Sequence, residues 1–227
     1  IGHLFENSDG SPMTLADLEL PMLIVVTGIT VDGLKHDLDY YEHFMDDYVG
    51  PGSVFRRSRF SRVGRIAGIV KEIMGAPEAL REIVFGADSA SVQADVIDAV
   101  GFSSAIPGLI HYDIYRDDER MRRLLDTLYG QTGITRLLEG GIVNNLPCKP
   151  AYAEVMSGRI ARRNPFVLAM DCFAPRARSP IFLPVQQILR PSISRNLPFA
   201  HKVFAMKRRL SPLNFVPTVM DITKAMS

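Results

Sequence analysis

The stretch PMLIVVTG, Pro21 to Gly28, decides the fold class. A proline leads in, five apolar residues follow from Met22 to Val26, and Gly28 ends the run. A continuous apolar run of this length suits a strand buried on both faces. It falls far short of the roughly 18 residues that a membrane-spanning helix needs. No other run in the chain approaches that length, and no basic-then-apolar leader opens the sequence.

Outward from this strand, the pattern switches to helical periods. Upstream, SPMTLADLEL forms a short turn capped at Thr14. Downstream, HDLDYYEHFMDDYV reads as a helix. RSRFSRVGRIAGIVKEIM is a longer one, with Phe60, Val63, Ile66, Ile69, Val70 and Ile73 on one stripe. SVQADVIDAVGFSSAIPG is a helix with a serine-rich turn and a Pro-Gly stop. LIHYDIY reads as a strand, and DDERMRRLLDTLYG as a helix whose acidic start suits the helix dipole. KPAYAEVMSG is a helix ending at Gly158, and PFVLAMDCF a second buried strand. From Ala174 prolines loosen the pattern, and short helices at LPVQQILR and PFAHKVFAMKRRL are expected to wrap the domain. Strands alternating with helices imply an α/β fold, a largely parallel central sheet with helices on both faces.

Composition narrows the function classes. The formal net charge is +1 over 227 residues, so no global field points to nucleic acid. The two cysteines, Cys148 and Cys172, sit in apolar contexts without metal-ligand spacing, which fits free thiols in a reducing compartment. The five histidines are scattered, and no P-loop, H-E-x-x-H or G-x-G-x-x-G is present. No metal or other cofactor is therefore implied.

Three stretches carry candidate chemistry. In LLEGGIVNNLP, Glu139 precedes Gly140 and Gly141, which allow a tight turn and positive φ. A carboxylate at the carboxyl end of a strand lies where ligands gather in open α/β sheets. Asn144 and Asn145 could hold the loop through its backbone. The bland alternative is a surface turn with a solvated glutamate. In GFSSAIPG, Ser103, Ser104 and Pro107 could line a pocket, or the hydroxyls could serve as local helix caps. As a nucleophile elbow the segment fails, because Ala105 stands where G-x-S-x-G needs its second glycine. Third, Arg56, Arg57, Arg59, Arg62 and Arg65 cluster beside the apolar stripe. They form either a solvated basic face or a surface for anionic membranes.

Taken in order, MTLADLELPMLIVVTGITVDG, DAVGFSSAIPGLI and LEGGIVNNLPCKPAYAEVMSG resemble the patatin-like phospholipase family. The resemblance implies a lipid acyl hydrolase, a phospholipase A or lysophospholipase type of serine esterase, on an α/β sheet. Its catalysis would use a serine–carboxylate dyad, with Glu139 in the place of the family's aspartate. The family's serine elbow and glycine-rich oxyanion loop precede the segment matched by MTLADLELP. The resemblance thus makes residues 1–173 the carboxyl-terminal part of the hydrolase domain and residues 174–227 a wrapping extension. It implies a phospholipid or lysophospholipid substrate, an amino-terminal segment of the same protein as partner, and a cytoplasmic location with peripheral membrane contact. The alternative is a non-catalytic relative that binds membrane surfaces or a partner protein.

Overall fold

Strand β1, Ile24–Ile29, is buried at all six positions and organises the first half of the chain. The computed structural model describes residues 2–30, 34, 68, 72, 75–105, 112–116, 118–160, 164–171 and 192–205. The chain separates into two compact units, Ile1–Val143 and Asn144–Ser227. The expected boundary at 173/174 lies outside the described residues, as do the helices expected at 36–49 and 183–190 and nearly all of the arginine-rich one.

In the first unit β1 is the middle strand of three, flanked by β2, Leu80–Phe85, and β3, Arg136–Glu139. Both pairings are antiparallel: Ile24 faces Phe85 on one side and Val26 faces Glu139 on the other. This differs from the expected, largely parallel sheet, and the reason is topological. β2 and β3 both run opposite to β1, so they are parallel to each other. The chain between them carries two helices, α1 at Val96–Ser103 and α2 at Glu119–Thr132. The two helices were legible, but β2 was not, and a strand was expected between them at 109–115, so the crossover that joins these parallel strands was not read as such. What the alternation could not reveal is that β1 inserts between them. Gly28, expected to end the strand, lies inside it, paired on both sides, and a Cβ there would meet the Ile134 side chain at 2.7 Å.

One face of the sheet packs on both helices. Val26, Phe85, Ala99, Phe102, Met121, Leu125, Ile134 and Leu137 form a contiguous core there. Each large apolar side chain so buried contributes about 1.5–3 kcal/mol. Met121 and Leu125 are one turn apart, so a single stripe of α2 meets the core. Asp118 caps that helix by accepting from Arg120 N at 2.8 Å, and Gly133, at φ 69°, ends it. The turn at Thr14 is a capping box closed by Asp17.

A strand was expected at 109–115; its described residues, 112–115, form loop and turn. Asp98 takes the backbone N–H of Tyr115 at 2.8 Å, which removes a group that a sheet ladder would use. In the second unit α3, Cys148–Met156, precedes β4, Leu168–Asp171, which pairs in parallel with β5, Lys202–Ala205. Where a helix was expected from Pro198, the described residues form a 3-10 turn, Leu197–Phe199, and then β5. A small core of Leu146, Cys148 and Ala169 lies here, and Cys148 is a free thiol.

Candidate functional site

Glu139 ends β3 opposite Val26, so strand alternation puts its side chain on the core face with Leu137. The next three residues, Gly140–Ile142, make a single 3-10 turn. Positive φ is not what this turn requires, since neither Gly140 nor Gly141 adopts it. Gly140 is needed for close approach: a Cβ there would sit 2.0 Å from the Val25 carbonyl oxygen. The same Cβ would lie 3.3 Å from Ser103 Oγ.

The backbone of Glu139 is held at both ends. Its N–H donates to Ala105 O at 3.0 Å, in the segment leaving α1. Its carbonyl accepts from Thr27 Oγ1 at 2.6 Å, from the neighbouring strand. Ser103 closes the arrangement by donating Oγ to Val25 O at 2.7 Å. The SSA and EGG segments, distant in sequence, are thus clamped together on β1.

The carboxylate of Glu139 stands apart from this bonding. It is partly buried, and among the described residues it has no hydrogen bond or ion pair. Burial pushes its proton affinity above the ordinary glutamate value. A carboxyl group so placed is a stronger base than a solvated one. Among the described residues its lone pairs are unclaimed, while the backbone that carries it is fixed on both sides.

The other expected residues divide. Ser104 is exposed and ends α1, its N–H bonding Val100 O at 3.0 Å. Pro107 and the five arginines from Arg56 to Arg65 lie outside the described residues. Asn144 and Asn145 belong to the second unit. There Asn144 Oδ1 accepts from Leu146 N at 3.3 Å and from Asn196 Nδ2 at 2.9 Å. Asn145 uses its backbone, donating N–H to Ser192 Oγ at 3.1 Å.

Sequence reasoning missed Thr27, although a signal existed. A hydroxyl in the middle of an apolar buried run must find an acceptor. It missed Asp98 too, 1 % exposed, which accepts from Tyr112 Oη at 2.7 Å. Burial and that bond push the Tyr112 phenol well above its ordinary range. Nearby, Arg120 pairs with Asp95 and Asp118, and Arg116 pairs with Glu6.

Among the described residues, no group of three or more His, Cys, Asp or Glu could hold a metal ion. No described helix is long and apolar enough to cross a membrane. No protein-family model matches the chain, and no curated protein or solved structure matches it either.

Proposed function

We propose that the chain carries the base-bearing part of a patatin-like lipid acyl hydrolase, with Glu139 as the dyad carboxylate. The observation that supports this reading is the partly buried carboxylate of Glu139, without a partner among the described residues, on a turn seated against β1. In this reading the nucleophilic serine and the oxyanion donors come from sequence preceding Ile1, on the sheet arrangement of that family. Glu139 takes the hydroxyl proton as the serine oxygen attacks the acyl carbonyl. It returns the proton to the departing alkoxide of the lysolipid or glycerol moiety. A water molecule, deprotonated by the same carboxylate, then attacks the acyl-serine ester; the fatty acid leaves as the serine oxygen departs and takes that proton back. Raised proton affinity suits this work, because a base is most effective when its pKa approaches the working pH. The proposal includes a cytoplasmic setting with peripheral contact to a phospholipid surface.

The gene upstream of Ile1 gives the first test: a G-x-S-x-G segment is expected there, and its absence overturns the reading. The second is fatty-acid release from phospholipid vesicles. Glu139→Gln is expected to lower turnover about 10²–10⁴-fold with folding intact. Unchanged turnover removes Glu139 from the mechanism.

One observation favours a second reading. Position 139 carries a glutamate where the resembled family carries an aspartate. On that ground the chain is a non-catalytic relative that binds membrane surfaces or a partner. It predicts salt-sensitive binding to anionic vesicles and no labelling by a serine-reactive phosphonate.

A further inference from the structure

We infer that Thr27 and Ser103 are positioning residues, whose hydroxyls fix the Glu139–Gly140 turn on β1 and so set the direction of the Glu139 carboxylate. The inference rests on the acyl-hydrolase reading for the use to which that carboxylate is put. Thr27 is wholly buried, and its Oγ1 reaches across to Glu139 O at 2.6 Å. Ser103 Oγ binds the Val25 carbonyl at 2.7 Å, the same oxygen against which Gly140 is packed. The Glu139 N–H is meanwhile tied to Ala105 O, two residues beyond Ser103. The segment leaving α1 and the centre of β1 therefore bracket one peptide unit on each side of the Glu139 Cα.

The physical consequence is orientation without contact. Neither hydroxyl hydrogen-bonds the carboxylate, since Thr27 bonds Glu139 O and Ser103 bonds Val25 O, so neither stabilises its charge in that way. Each restricts the backbone from which the side chain projects, and a displacement near 1 Å in a reacting group can cost about 10²-fold in rate. The clamp also keeps the turn from lifting toward water, which preserves the desolvation that raises the carboxyl's proton affinity.

The test is a carbon-13 NMR titration of the Glu139 side-chain carboxyl in the full chain, assigned by its loss in Glu139→Gln. It is run for Thr27→Val and Ser103→Ala, with Thr27→Ser and Ser103→Thr as variants that keep the hydroxyl. Loss of either hydroxyl is expected to bring the titration midpoint down toward the ordinary glutamate value. The hydroxyl-keeping variants are expected to hold it near that of the unsubstituted chain. A lowered melting temperature with an unmoved midpoint reduces both hydroxyls to fold support and overturns the inference. Because the titration needs no substrate, an unmoved midpoint counts against positioning alone, whereas missing ester release counts against the hydrolase reading.

Discussion

Gly140 lies so close to Val25 that a Cβ on it would stand 2.0 Å from the Val25 carbonyl oxygen. That atom is backbone in a central strand, so it cannot swing away as a flexible side chain would. Gly140→Ala is therefore expected to destabilise the chain by about 1–3 kcal/mol, as overpacked sites do. Gly130 in α2 provides the contrast, because nothing lies within 4 Å of its Cβ position. Gly130→Ala is expected to stabilise by up to about 1 kcal/mol, the difference in helix propensity. Urea midpoints of the two variants check both signs.

Glu139 makes stability depend on pH in a stated direction. Burial raises its folded pKa above the unfolded one, which lies near the ordinary value of about 4.3. Between the two values the folded chain binds more protons, so this group's contribution falls as pH rises. The cost of its charge is complete above the folded value and absent below the unfolded one. Glu139→Gln, which keeps the shape without the charge, is expected to be more stable than the parent at pH 7. The advantage should close by about pH 4. Urea melts at both pH values check this, and a gap that widens toward acid would contradict it.

How much was legible follows from what each signal measures. The apolar run at Met22 marked β1 because burial on both faces leaves no alternation to misread. Helices α1, α2 and α3 were legible through spacing, and α3 also through its stop at Gly158, whereas α2 was expected to end at Gly130 and runs on to Thr132. Strand direction was not, since alternation of element types is silent on which strand inserts where. β5 was misread as helix because its short run owes its conformation to pairing with β4. At the site, the glycines pointed to a tight turn, but its cause was close approach to Val25, a contact between residues far apart in sequence. Ser103, Thr27 and Ala105 join Glu139 only through the tertiary fold.

Asp98 should behave as a buried hub. It accepts from Tyr112 Oη at 2.7 Å and Tyr115 N at 2.8 Å, and the Tyr112 ring meets Phe102 edge-on at 5.1 Å. Asp98→Ala strands two donors and is expected to cost about 2–4 kcal/mol. Tyr112→Phe removes one donor and keeps the ring contact, so about 1 kcal/mol is expected. The double variant should cost less than the sum, because the two residues share one bond. Additive costs in denaturant melts would show that the bond contributes nothing.

In the second unit, Asn196 gives the corresponding test. Its Oδ1 accepts from Lys149 N at 3.0 Å, and its Nδ2 donates to Asn144 Oδ1 and Ser192 O, each at 2.9 Å. The side chain therefore ties the start of α3, the loop before it and the helical residues 192–196 into one network. Asn196→Asp keeps the shape and the acceptor for Lys149 but replaces the donor with a buried negative oxygen facing two other acceptors. That substitution is expected to cost more than Asn196→Ala, itself worth about 2–3 kcal/mol. The penalty for Asn196→Asp should shrink at low pH, where a protonated carboxyl regains one donor. Hydrogen exchange at Leu146 and Lys149 amides should speed up in both variants. Unchanged exchange at Lys149 would mean that its bond to Asn196 is absent in solution.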